Sequence, residues 1–332
     1  MIPSTFRAFV VNKTEAEFSA EFKEITLNDL TPGEVLIKVA YSSVNYKDGL
    51  ASIPDGKVIR SYPLVPGIDL AGIVVESQDP RFKANDPVIA TSYDLGVAHC
   101  GGFSEYARVK ADWIVLLPAG MTLKEAMALG TAGFTAALAV HQLERMGLQP
   151  EQGPVLVTGA TGGLGSIAIS ILKALHYTVT ASTGKQAEHG YLKDLGAEEI
   201  IERAETSVEN KRPLEKERWA GSIDNVGGTT LAYLIRTTRT GGSIAACGNT
   251  GGTTLNTTVF PFILRGINLL GIDSANTPMA LRRQIWQHLA SDYKPAHLTN
   301  MIAHEIPFDE LPQALGTILK GGIRGRTIVK IA

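Results

Sequence analysis

A chain of 332 residues is long enough for two domains and a sizeable core. Hydrophobic content of 44% with 19% charged residues is that of a soluble globular protein, and a net charge of −2 excludes a basic nucleic-acid footprint. Cys100 and Cys247 are the only cysteines, far apart, which excludes a disulfide framework and a cysteine metal cluster.

The N-terminal run MIPSTFRAFVVNKTEAEF lacks an apolar signal region, so a cytoplasmic protein is expected. From Phe6 to Leu117 the apolar runs are short and β-rich: FRAFVV, EVLIKVAYSSV, LAGIVVES, DPVIATS, SEYARV and WIVLLP. Pro32-Gly33, Pro66-Gly67 and Gly101-Gly102 punctuate them, which predicts a small barrel-like antiparallel domain. From Lys124 helix and strand alternate. KEAMALGTAGFTAALAVHQLERM has helical spacing, and its weakly polar stretch from Ala126 to Val140 reads as too short to span a bilayer. The strands PVLVTGA, YTVTAS, EEIIE, AGSIDNV, GSIAACG and INLLGID follow, joined by helical patterns, as in a doubly wound parallel sheet. After Ser274 come a helical segment, the helix LPQALGTILKGG and a last strand, RTIVKI, expected to return to the first domain. The predicted domains are residues 1–124 with 275–332, and residues 125–274.

VLVTGATGGLG, residues 155 to 165, is the most informative segment. Ala160, Gly162 and Gly165 occupy the three glycine positions of the G-x-G-x-x-G/A dinucleotide fingerprint. Thr161, Gly162, Gly163 and Leu164 are therefore expected against a pyrophosphate at the helix N-terminus. An acid about 20 positions on would take the ribose hydroxyls of NAD. Counting from Gly162 reaches Ser182, followed by Thr183, Gly184 and Lys185, with no carboxylate before Glu188. Small hydroxyls with Lys185, and Arg203 after the third strand, suit a 2′-phosphate, so NADPH is the expected cofactor. Asn249, after the fifth strand, lies at the carboxyl end of the sheet, where ligands bind in this fold.

A β-rich domain followed by a nucleotide fold resembles the medium-chain dehydrogenase/reductase superfamily over essentially the whole chain. SSVNYKDGLA, YPLVPGIDLAGIV, GTAGFTAALAVHQLE, PFILRGINLLGIDS and GRTIVKI look like the acryloyl-CoA reductase branch of its zinc-independent quinone oxidoreductases. The resemblance implies a GroES-like domain beside a Rossmann domain and NADPH-dependent reduction of an activated carbon–carbon double bond. Zinc-dependent relatives need Cys on the early loop and His-Glu after the Pro-Gly turn. Here Asn45, Ile68 and Asp69 stand in those places, so no metal is expected. A short-chain dehydrogenase reading fails, because the one Tyr–Lys pair of suitable spacing, Tyr106 and Lys110, precedes the glycines.

The resemblance further implies Tyr46 as a cofactor contact and Asn45, Tyr46 and Asp69 as catalytic-site residues. Asn45 and Tyr46 would donate hydrogen bonds to the enolate oxygen that forms after hydride addition. It also implies Ile263 and Ser274 as cofactor contacts, and a homodimer built by late strands such as SIAAC and INLLGI. Lys57, Arg60 and Arg324 are candidates to hold a CoA handle. A quinone or an enal also fits as substrate, and a nucleotide-binding protein without turnover is a further alternative. No nucleic-acid or membrane partner is expected.

Overall fold

The computed structural model describes residues 2–296 and 298–331. The chain divides into two compact units: Met1–Thr131 with Ala275–Arg283 and Ile302–Ala332, and Ala132–Ser274 with Gln284–Met301.

In the first unit Val35–Val44 is the organising strand. It pairs antiparallel with Asp69–Ser77, Tyr106–Val109 and Arg326–Lys330. Pro87–Thr91 and Ile114–Leu116 extend the sheet on one side and Ile302–Pro307 on the other. Phe9, Val35, Ile37, Leu70, Val74 and Phe103 are among the residues that fill the core. The C-terminal strand thus returns to the first unit, as its apolar pattern predicts. Its register sets Thr327 opposite Val44, which brings Arg326 to the loop that follows Val44.

The second unit is built on a six-stranded parallel sheet. Its order is Glu199–Glu202, Val179–Thr183, Val155–Val157, Trp219–Asp224, Thr238–Ala246, Asn268–Gly271. That is third, second, first, fourth, fifth, sixth in sequence, the doubly wound order of a Rossmann fold. Helix Gly163–Ala174 buries Ile167, Ala168, Ile171 and Leu172 completely, an apolar stripe that seals one sheet face.

Four features depart from the sequence reading. Strand Phe18–Ile25, paired with Phe6–Lys13, shows no alternation: its apolar residues Phe18, Phe22 and Ile25 are spaced as in a helix. Phe22 is held by rings instead, at 5.5 Å from Phe9 and 4.9 Å from Phe308. Strand Ile302–Pro307 is also new, and its polar His304 and Glu305 hide it. The stretch read as too short for a bilayer belongs to a 23-residue helix, Leu123–Arg145, which has the length but is mostly buried in protein. Gly130, at φ 52, interrupts its helical dihedrals.

The fourth departure concerns boundaries. Gln284–Met301 clusters with the nucleotide unit rather than the first, and residues 125–131 with the first. The cause of the former is burial: Trp286 stacks on Phe134 at 6.2 Å, and the Tyr293 hydroxyl donates to Glu144.

Candidate functional site

The turn after Val155–Val157 carries the glycine run. A Cβ on Gly165 would stand 2.5 Å from the Gly159 carbonyl oxygen, so helix and turn pack only with glycine there. At Gly162 a Cβ would meet only that oxygen, at an ordinary 3.4 Å. Nothing inside the protein demands glycine at 162; a closely approaching ligand would. Gly163 and Leu164 open the helix, so their N–H groups have no partner one turn earlier and head its positive end. Beneath the turn, Thr158 donates to the buried Asp224 at 2.6 Å, and Asp224 accepts from Gly227 N–H at 2.8 Å. Burial pushes the Asp224 carboxyl up from its ordinary value.

A cleft of about 270 Å³ opens beside this turn, lined by Thr161, Ser182, Thr183, Gly184, Lys185 and Arg203 among others. These residues lie on separate elements and were expected together. The Arg203 guanidinium lies against Gly184, where a Cβ would come within 3.0 Å of Nη2. No carboxylate lines the cleft among the described residues. The hydroxyls also bond within the protein. Ser182 is buried and its Oγ sits 3.2 Å from Thr206 Oγ1, while Thr183 Oγ1 accepts from Lys185 N–H at 3.1 Å. Both line the cleft beside Lys185 and Arg203.

The remaining expected contacts are less convergent. Asn249 is exposed; its neighbours Thr250 and Gly251 line the cleft. Ser274 Oγ accepts from Thr135 at 2.8 Å. Ile263 is 68% exposed on helix Phe260–Arg265, with Val259, Phe260 and Leu264 also exposed. Asn225 was missed. Its N–H donates to Thr158 Oγ1 and its Nδ2 to Thr158 O, and its Oδ1 is buried without a partner among the described residues.

The first unit holds a polar hub. Asn45 caps helix Tyr46–Ala51, and Asp48 closes the capping box by accepting from Asn45 N–H at 2.9 Å. Asp48 also accepts from Ile68 N–H at 2.9 Å. Asp69, fully buried, accepts from Ser43 Oγ at 2.6 Å, Asn45 Nδ2 at 2.8 Å and Thr131 Oγ1 at 2.5 Å. Arg326 reaches in from the C-terminal strand, donating to Asn45 Oδ1 at 3.1 Å, Ser43 Oγ at 2.8 Å and Ala128 O at 3.1 Å. Gly130 is the residue that leaves them room: a Cβ there would lie 2.6 Å from Asp69 Oδ2 and 2.9 Å from Arg326 Nη2. Burial, then the neighbouring Asp69 charge, pushes Asp48 up to about 7.

This geometry revises two expected catalytic residues. The two N–H groups of the Asn45 amide serve Asp69 and Asp48, the latter at 3.0 Å, and its oxygen serves Arg326. It has no donor left for an enolate oxygen. Asp69 has no exposed surface with which to touch a substrate. Both are positioning residues. Tyr46 differs: it is 50% exposed. Asp48 and Arg326 were missed as site residues. The Asn45-x-x-Asp48 capping box and a lone arginine opening an apolar strand were the available signals. Of the candidates for a CoA handle, Arg60 pairs with Asp94 at 3.3 Å.

Residues 31–119 match the alcohol dehydrogenase GroES-like domain, and residues 163–291 match the zinc-binding dehydrogenase domain. The chain is 52% identical to the putative quinone oxidoreductase YhfP of Bacillus subtilis (strain 168), covering 98% of this chain and 99% of that one. A crystal structure of B. subtilis yhfP with NAD bound superposes with a TM-score of 0.97. The acrylyl-CoA reductase AcuI of Ruegeria pomeroyi is 49% identical over 98% of this chain and 99% of its own. The yhdH oxidoreductase of Salmonella enterica, crystallised with NADP, superposes with a TM-score of 0.95 at 45% identity, covering 98% of this chain and 100% of that one. The chain therefore belongs to the medium-chain dehydrogenase/reductase family, in its branch of quinone oxidoreductases and acryloyl-CoA reductases.

Proposed function

We propose that this protein reduces an α,β-unsaturated thioester, acryloyl-CoA to propanoyl-CoA, with NADPH and without a metal. The observation that carries the cofactor is that Lys185 and Arg203 both line a cleft whose described lining offers no carboxylate to a ribose diol. The yhdH oxidoreductase crystallised with NADP supports it, and the 49% identity to an acrylyl-CoA reductase supports the substrate. Hydride adds to the β-carbon, charge moves to the thioester oxygen, and a proton completes the α-carbon. Of the two donors expected on the early loop, Tyr46 is the one with an exposed phenol, and we assign it to the reacting groups. The metal-free reading rests on what Asn45 and Asp69 do. Both are saturated by hydrogen bonds within the hub, and Asp69 is paired with a guanidinium rather than a cation from solution.

The likeness to YhfP favours a second reading, reduction of quinones. A homodimer is part of the proposal. Asn268–Gly271 is one edge of the parallel sheet, and Val259, Phe260, Ile263 and Leu264 are exposed just before it. The strand containing SIAAC is interior, paired on both sides, so of the two strands expected at the dimer seam only Asn268–Gly271 stands at an edge. NADPH oxidation assayed with acryloyl-CoA, crotonyl-CoA, benzoquinone and acrolein tests the reading. Turnover with the thioesters, undiminished by chelators, is expected; turnover with benzoquinone and none with either thioester would transfer the assignment to quinones.

A further inference from the structure

Asn225 follows the last residue of strand Trp219–Asp224, and its main chain is held at both polar groups. Its N–H donates to Thr158 Oγ1 at 3.0 Å, and its carbonyl accepts from Thr250 Oγ1 at 3.1 Å. Thr158 gives its own hydroxyl hydrogen to Asp224 at 2.6 Å, which fixes that hydroxyl. From this frame the Asn225 side chain reaches back, and its Nδ2 donates to Thr158 O at 2.7 Å. Its Oδ1 is buried without a partner among the described residues, a cost the opposite orientation would not relieve. Turned over, the amide would set its oxygen against the Thr158 carbonyl oxygen, acceptor facing acceptor.

The consequence lies one residue on. A trans peptide is planar, with its C=O and N–H pointing in opposite directions. Drawing the Thr158 carbonyl toward Asn225 therefore aims the Gly159 N–H away from it. In the sheet, Trp219–Asp224 lies on one side of Val155–Val157 and Val179–Thr183 on the other. The Gly159 N–H thus faces the side of Ser182 and Thr183, which line the cleft together with Gly159 itself. The next N–H, that of Ala160, donates to Ser182 O at 3.3 Å, while that of Gly159 makes no hydrogen bond among the described residues. Gly159 stands at φ 58, and a glycine accepts either sign of φ, so the peptide before it would be free to flip. The Asn225 amide is what holds it.

We propose that Asn225 is a positioning residue of the cofactor site. It locks the Thr158–Gly159 peptide so that the Gly159 N–H is presented to an oxygen of the ADP-ribose half that NADPH and NADH share. The inference rests on the dinucleotide reading of the cleft and adds to it a donor that serves both nucleotides alike. A locked N–H has no rotational freedom left to lose on binding, and a flipped peptide would turn the Thr158 carbonyl oxygen toward the ligand instead.

The test titrates full-length wild type, Asn225→Leu and Asn225→Asp with NADPH and NADH by fluorescence. ADP-ribose, which carries only the shared half, is titrated by calorimetry from about pH 8 down to about pH 5.5. Leucine keeps the volume and removes the donor. Both nucleotides should bind about 5- to 30-fold more weakly to Asn225→Leu, with their affinity ratio within about twofold of wild type. Aspartate keeps the shape: ionised, it sets an oxygen against the Thr158 carbonyl, and protonated, it can donate there. Burial and the neighbouring Asp224 favour the protonated form as pH falls. ADP-ribose affinity of Asn225→Asp should therefore recover toward wild type in acid, while wild type, which has the same Asp224, changes by less than about twofold. A side chain that only stabilised the fold would lower the urea midpoint and show no such acid rescue. Wild-type affinity in both variants, a loss confined to NADPH, or a loss in Asn225→Asp that acid does not restore would overturn the clamp. The aspartate arm decides the matter should Asn225→Leu fail to fold. Wild type that bound none of the three ligands would refute the dinucleotide reading itself, and the clamp with it.

Discussion

The two polar regions of this chain are built on opposite principles. In the first unit Asp48, Asp69, Ser43 and Arg326 are buried and satisfy one another, so each group exists to hold the next. In the second unit the cleft wall is mostly glycine and small hydroxyls around open space, with two cations in its lining. A buried ionic hub costs desolvation at every member and tolerates no missing partner. An open cleft is lined by groups outside the buried core, so its members can be lost singly with little harm to the fold. The difference teaches where to look for function: the hub fixes geometry, and the cleft supplies affinity.

Arg326 is where this contrast should break most visibly. Its removal leaves two buried carboxylates and the Asn45 oxygen facing an apolar side chain. Arg326→Met should lower unfolding free energy by about 3–5 kcal/mol, the cost of orphaning a buried ion partner. Urea denaturation reads it as a fall in midpoint with unchanged slope. A loss under about 1 kcal/mol would mean that solvent reaches the hub and that Arg326 is not its counter-charge.

Proton linkage sharpens the comparison next. Asp48 sits near 7 in the folded chain against 3.8 for the free side chain. Its folded-state value is raised, so the folded protein holds a proton that the unfolded chain has released. That stabilisation is fully present below about pH 4 and is lost as pH rises toward 7. Stability curves of wild type and Asp48→Asn should therefore diverge in slope across that window, with the variant flatter. Parallel curves would show that Asp48 stays ionised when folded, and the hub would then carry a full negative charge at neutral pH.

Local order was legible in the sequence, and long-range pairing was not. The strand VLVTGA and the glycine run declare a dinucleotide turn because every relevant contact lies within a dozen residues, as the packing of Gly165 on Gly159 shows. Lys185 and Arg203 could be counted out because parallel strands place successive βα turns at one end of the sheet. Arg326 could not. Its bond to Asn45 spans 281 positions and exists only because Thr327 pairs with Val44. Asp48 stood inside the motif NYKD without a role, since a capping box alone does not reveal a second carboxylate across the fold. Asn45 was placed in the site for its amide donors, and the structure spends both of them internally. Residue type announced polarity at these positions; only tertiary register decided which polar group each would face.

The cleft should respond differently from the hub, and more gently. Lys185 and Arg203 line one cleft from two elements, the stretch after Val179–Thr183 and the start of helix Arg203–Thr206, and Arg203 lies against Gly184. A 2′-phosphate placed there would meet both cations, while a 2′-hydroxyl would gain little from either. Lys185→Ala and Arg203→Ala should each weaken NADPH binding by about 1–3 kcal/mol, as expected for a charge-assisted hydrogen bond, and leave NADH binding nearly unchanged. Unfolding midpoints should stay within about 0.5 kcal/mol of wild type, because both cations lie outside the buried core. Added salt should erode the NADPH preference of wild type and have less to erode in either variant. Fluorescence titration of both nucleotides at low and high ionic strength measures all of this. Equal affinity of wild type for NADPH and NADH would contradict the cleft assignment and bring this protein closer to its B. subtilis relative, crystallised with NAD. Equal loss of both nucleotides in Lys185→Ala would be a different failure. It would mean that the lysine serves the pyrophosphate shared by the two cofactors and that Arg203 alone discriminates between them.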